Sequence, residues 1–152
     1  SLHSSLSGVM VYYADHRLRR NKFGLKSNIY RRIKEYNSKL TFRKRDNKYS
    51  EKLSKEFGKT IVKEFQKQKL RTHRVSSAVR GYLYRRGKKT LPAVLRYNKV
   101  PTSVLVEIAN LNNRRDRRDL LKSKTRQRMA KAIANSVFNR FSLSNSLVAK
   151  TN

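Results

Sequence analysis

The run GVMVYYAD, residues 8–15, opens at a glycine and strings β-branched and aromatic residues together almost without a break. Such a run is a buried strand, so a sheet lies close to the start of the sequence. A layer to cover it is legible further on. Ser50 can cap a helix reaching about Leu70, in which Leu53, Phe57, Ile61 and Phe65 recur every four residues as one apolar stripe. VRGYLYRR (79–86) and LPAVLRY (91–97) read as short extended segments around a turn at Gly87, and Pro101 precedes an apolar run to Glu107. A final helix, about Lys124 to Phe141, places Met129, Ile133, Val137 and Phe141 on one face beside Ala130, Ala134 and Phe138. The Ser/Asn-rich tail, 142–152, is expected to fray. Strands alternating with amphipathic helices predict an α/β domain, a mixed twisted sheet packed by helices, with residues 1–152 forming one unit.

Between the first strand and the first helix, residues 16–49 interleave Phe23, Tyr30, Tyr36, Phe42 and Tyr49 with Arg and Lys. This stretch reads either as solvated charge with its aromatics anchored in the core or as a stacking surface for bases or sugar rings. His16 and His73 stand in basic, polar surroundings and read as solvated side chains. With thirty-nine Lys and Arg against nine Asp and Glu, the chain carries a formal charge of +30. The field of such a chain selects polyanionic surroundings: nucleic acid, anionic lipid or an acidic wall polymer. Cysteine is absent, which excludes disulfide scaffolds, thiolate metal sites and cysteine nucleophiles. No apolar run approaches the roughly eighteen residues a membrane span needs, and SLHSSLSGVMVYY lacks the basic start and apolar block of a signal peptide.

In so cationic a chain, the stretch SVLVEIANLNN (103–113) raises a question, because an apolar run leads directly into Glu107. A carboxylate there needs a partner or a task. In layered α/β domains, functional groups gather at the carboxyl ends of strands. Glu107 is therefore either half of a buried pair with one of the many arginines or a group that does chemistry.

VLRYNKVPTSVLVEIANLNN (94–113) resembles the C-terminal signature of the zinc-dependent N-acetylmuramoyl-L-alanine amidases, the amidase-3 type of peptidoglycan hydrolase. The likeness runs through Val94, Leu95, Arg96, Pro101, Val104, Leu105, Val106, Glu107, Ile108 and Asn113, with Ala109 where that family has glycine. SLHSS followed by GVMVYY is similar to the family's S-[IL]-H strand and the strand after it, and RRDRRDLLKSKTRQRMAKAIANSVFNRF resembles its closing helix, with arginines where acids are usual.

This resemblance implies an amidase-3 fold, of the zinc exopeptidase or phosphorylase/hydrolase-like kind, with zinc as cofactor, His3 as a metal ligand and Glu107 as general base. Hydrolysis of an N-acylated amide near neutral pH calls for a Lewis acid, a bound hydroxide and a carboxylate to shuttle protons. The substrate implied is the bond between N-acetylmuramic acid and L-alanine of the stem peptide, in the bacterial cell envelope, with anionic wall polymers as further partners. The family's first two zinc ligands and early strands precede its S-[IL]-H strand, so they are expected outside this sequence. The alternative expectation is a non-catalytic amidase-derived scaffold that uses its charge on nucleic acid or another polyanion, for example in a ribonucleoprotein.

Overall fold

The computed structural model describes residues 5–19, 44–73, 78–96, 98 and 100–148, with backbone alone at 44, 45 and 143–148. The GVMVYY run becomes β1 (Met10–Tyr12), the middle of a three-stranded mixed sheet. On one side β1 pairs in parallel with β2 (Val79–Arg80), Val11 facing Val79. Upstream of that pairing Val9 bridges Thr72, and downstream the amides of Tyr13 and Asp15 continue to the carbonyls of Arg80 and Gly81. On the other side β5 (Leu105–Glu107) runs antiparallel, with Met10 opposite Glu107 and Tyr12 opposite Leu105.

Alternation then sorts the side chains into two layers. Val9, Val11, Val79, Val104 and Val106 face helices α1 (Lys44–Lys67) and α4 (Ser123–Val148), where Ile61, Phe65, Met129 and Ala132 complete the larger core. Met10, Tyr12 and Ala14 face the other way, against Leu91 and Leu95. That layer comes from the hairpin β3–β4 (Leu83–Arg85, Lys88–Thr90) and the single-turn helix α2 (Ala93–Arg96). The first run is apolar at successive positions because both of its faces are covered. Gly58 lets α1 lie close to the sheet: a Cβ there would stand 3.1 Å from Val79 Cγ1 and 3.2 Å from Val11 Cγ1.

Four expectations are corrected. Helix α1 begins at Lys44 rather than at a Ser50 cap. The preceding residues contain neither Gly nor Pro, Asp46 favours the first turn, and Ser50 sits mid-helix, buried, its hydroxyl accepting from the Arg19 guanidinium at 2.8 Å. LPAVLR is helical, not extended: Pro92, pre-set for a helical first turn, accepts from the Leu95 amide at 3.0 Å. The expected turn at Gly87 is present and takes in Arg86 as well, both left-handed (φ 51° and 71°), which is what a two-residue hairpin demands. Helix α4 continues to Val148, past Phe141, through Ser and Asn that lower helix propensity without breaking it. Its buried stripe is Met129, Ala132 and Ser136, whereas Ile133, Val137, Phe138 and Phe141 are exposed. A helix apolar over so much of its circumference can bury only the strip facing α1 and the sheet. Phe141 keeps an edge-to-face contact with Phe57, 5.5 Å between centroids. No helix of the described residues is long and apolar enough to cross a membrane.

Of the aromatic residues interleaved with basic ones, Tyr49 is exposed on α1. Phe23, Tyr30, Tyr36 and Phe42 lie outside the described residues.

Candidate active site

Glu107 is the last residue of β5, half-buried, on the face of the sheet that carries Met10 and Tyr12. Beyond it the chain turns away through Ile108 and Ala109 to Asn110, and a hollow of about 250 Å³ opens there, lined by Glu107, Ala109, Asn110, Leu111 and Asn112. Among the described residues Glu107 enters no ion pair, in a chain of net charge +30. A carboxylate with no ion-pair partner among the described residues and open to a hollow can take and return a proton. Tyr12, diagonal to it across the strands, is pushed above the usual phenol range by burial, with the charge of Glu107 adding to the effect and that of Arg80 opposing it. It therefore stays a neutral hydroxyl beside the carboxylate.

The end of β5 is held in place by Asp116, which sequence reasoning did not single out. Helix α3 (Arg114–Leu121) starts at Asn113, whose side chain accepts the amides of Arg115 and Asp116. Asp116, 4 % exposed, reaches back from the first turn: Oδ2 accepts the amides of Asn110 and Gly8, each at 2.9 Å, and Oδ1 meets Arg71 at 3.4 Å. One carboxylate thus ties the segment after Glu107 to the segment before β1. Asn110 adds a second tie, donating from Nδ2 to the Leu6 carbonyl at 2.8 Å. Gly8 closes the junction in a conformation only glycine takes freely (φ 83°), where a Cβ would meet the Arg71 carbonyl oxygen at 2.7 Å. The signal that could have revealed Asp116 was the pairing of a capping residue, Asn113, with an acid three positions on, in a chain with only nine acids.

Ser5 to Gly8 is therefore drawn against the end of β5, and His3 itself lies outside the described residues. The two histidines read as solvated are both engaged. His73 is buried, and its Nε2 accepts from the Arg80 guanidinium at 3.2 Å, because arginine can only donate. His16 Nδ1 lies 2.5 Å from Glu51 Oε2, an oxygen that also accepts the His16 amide at 2.7 Å.

Among the described residues, the potential metal ligands that cluster in a group of three are Asp15, His16 and Glu51, all within 4.8 Å. The donor types suit zinc, but the arrangement does not. Arg17 occupies both Asp15 oxygens, Nε to Oδ1 at 3.1 Å and Nη2 to Oδ2 at 2.8 Å, and the imidazole is committed to Glu51. Nor is the group near Glu107: Met10 lies opposite Glu107, and Asp15 is five extended residues further along, on the order of 16 Å. The trio reads as an ion-pair clasp on the turn after β1.

Arg17's hydrogen bonds hold the Asp15 carboxyl below the usual carboxylate range, against the opposing effect of burial. A depressed folded-state value stabilises the fold above the unfolded value of 3.8 and is lost as pH falls through the folded value. Asp15→Asn is therefore expected to lower stability at neutral pH by up to about 1 kcal/mol, since Arg17 is solvent-screened. The difference from the parent should close as pH falls below 3.8 and through the depressed folded value, as read from urea melts across pH.

The chain matches the family model described as N-acetylmuramoyl-L-alanine amidase over residues 1–139. It belongs to that family. A search of curated proteins finds no match. The small mixed sheet with its helices is consistent with an amidase-3 domain, and family membership suggests a peptidoglycan amidase. Glu107, the carboxylate of the signature-like run, lies inside the matched span, as do Asp116 and both core helices up to residue 139.

Proposed function

We propose that this amidase-family chain hydrolyses the amide joining N-acetylmuramic acid to L-alanine of the peptidoglycan stem peptide, with Glu107 as its general acid-base group. The observation that carries the reading is the half-buried Glu107 carboxylate at a strand end, facing a hollow and unpaired among the described residues of a +30 chain. The buried carboxylates Asp15, Glu64 and Asp116 each carry a cation, Arg17, Lys67 and Arg71 in turn. Glu107 accepts the proton of the attacking water and passes it to the departing L-alanine amine, which would otherwise leave as an unstable anion. Tyr12, held neutral, limits the charge close to that carboxylate. The family resemblance makes zinc the cofactor of this reading, with His3 as a ligand, to polarise the carbonyl when bound. Glu107 belongs to no group of three potential ligands among the described residues, which leaves it to handle protons and not to hold the metal. The setting is the bacterial cell envelope, where peptidoglycan is found.

The test is digestion of purified sacculi with zinc supplied. Stem peptides bearing a new N-terminal L-alanine amine should accumulate, and a chelator should stop their release. Release of reducing sugar ends without free L-alanine amines would assign the protein to glycan cleavage and sink the reading.

A further inference from the structure

On the far side of the Asp116 junction from Glu107, a cleft of about 710 Å³ lies between the end of α1 and the turn joining α3 to α4. Among the described residues six cations line it, Lys69, Arg71, Arg115, Lys122, Lys124 and Arg128, against one carboxylate, Asp119. Asp119 is already shared by Arg71 at 3.2 Å and Lys122 at 3.6 Å. Among the described residues Lys69, Arg115, Lys124 and Arg128 enter no ion pair. Lys69 is placed at a conformational cost. Helix α1 ends in a Schellman arrangement, with the Leu70 amide on the Phe65 carbonyl at 3.0 Å and the Lys69 amide on that of Gln66 at 2.8 Å. Position 69 is left-handed (φ 52°), where glycine fits without steric penalty, yet it holds a lysine that faces the cleft.

We propose that this cleft binds a phosphodiester polymer of the cell wall and so holds the chain on its substrate. Four cations without carboxylate partners, in a concave site, suit a chain of regularly spaced phosphates, and each phosphate they neutralise releases counterions. Among the described residues the lining contains no aromatic side chain and so offers no platform for stacking bases, which argues for a polyol phosphate over a nucleic acid. A narrow crevice shares Arg71 and Asp119 with the cleft and Ala109 with the Glu107 hollow, so the two are linked across the Asp116 junction. The choice of a wall polymer rests on the amidase reading; capture of a polyphosphodiester by the cleft does not.

The experiment compares a short glycerol-phosphate oligomer with a single-stranded DNA of equal phosphate number, by titration of the full chain across a salt series. The triple variant Lys69→Gly/Arg115→Ala/Lys124→Ala should weaken oligomer binding about tenfold or more near physiological salt and flatten the log-log salt slope by about two. A control of equal charge change on exposed residues outside the cleft, Lys52→Ala/Lys55→Ala/Lys88→Ala, should change it less than about twofold. Lys69→Gly alone should melt higher than the parent and bind more weakly, a pairing that general damage does not produce. Equal losses in the two triple variants would mean that only the overall field binds, overturning the cleft. Tighter, cleft-dependent binding of the DNA would overturn the wall polymer in favour of nucleic acid. Glu107→Gln should bind the oligomer as the parent does. A chain inactive on sacculi that still binds through the cleft would count against the amidase reading and not against the cleft.

Discussion

Glu107→Gln is expected to lower turnover of a muramoyl-peptide by on the order of a hundredfold or more while the protein folds as before. The amide keeps the shape of the carboxylate but has no basic oxygen to accept the proton of water, and no acidic proton to give to the amine. The loss should fall on kcat with KM little changed, since the proton moves in the transition state rather than on binding. Stability should be nearly unaltered, because Glu107 enters no ion pair among the described residues and its side chain borders a hollow rather than filling the core. Steady-state kinetics beside a thermal melt check both halves. Turnover near that of the parent would remove Glu107 from the reaction. A melt lowered by several degrees would instead make it a structural residue.

Asp116→Ala should have the largest effect on stability, about 3 kcal/mol or more. The substitution removes an ionised acceptor from two backbone amides, those of Gly8 and Asn110, and leaves Arg71 facing them without its buried partner. Charge-assisted hydrogen bonds contribute about 1.5–3 kcal/mol each, and the amides left behind keep their desolvation cost. Asp116→Asn retains one acceptor oxygen and should lose roughly half as much. Urea denaturation of the three proteins gives the order directly. Activity of Asp116→Asn should drop even where the fold persists, because the junction that holds the end of β5 beside the start of β1 is loosened. An unchanged midpoint in Asp116→Ala would show that these hydrogen bonds do not anchor the junction.

Much of the architecture follows from local pattern. GVMVYY could be recognised as a buried strand because its β-branched and aromatic residues are contiguous, and both of its faces are indeed covered. The stripe Leu53, Phe57, Ile61, Phe65 identified the helix that lies on it, since a period near four leaves only one face to bury. Boundaries were less legible. Ser50 looks like a cap because a serine before an apolar stripe can accept an amide, but its hydroxyl is taken by Arg19, a residue thirty-one positions away. Nothing local distinguishes those two uses. LPAVLR has the apolar content of a short strand, and only its place beneath Met10 and Tyr12, with Leu91 and Leu95 inserted there, makes one helical turn the better packing.

The same division holds at the candidate site. That Glu107 ends an apolar strand, in a chain so short of acids, was determined by the sequence, because strand propensity and charge scarcity are properties of neighbouring residues and of composition. Which acids would be clasped by cations and which left open was decided only by the fold. Asp15 takes Arg17 and Asp119 takes Lys122 from their own segments, but Asp116 and Asp119, each preceded by an arginine in the chain, both turn to Arg71, 45 and 48 positions away, and that choice depends on where its guanidinium finally lies. His16 and His73 likewise look solvated until folding brings Glu51 and Arg80 to them. Local spacing sets the element a residue occupies. Partners such as Arg71 for Asp116 or Glu51 for His16 are set by contacts between segments tens of residues apart, and these exist only once the sheet and its two helices have closed on one another.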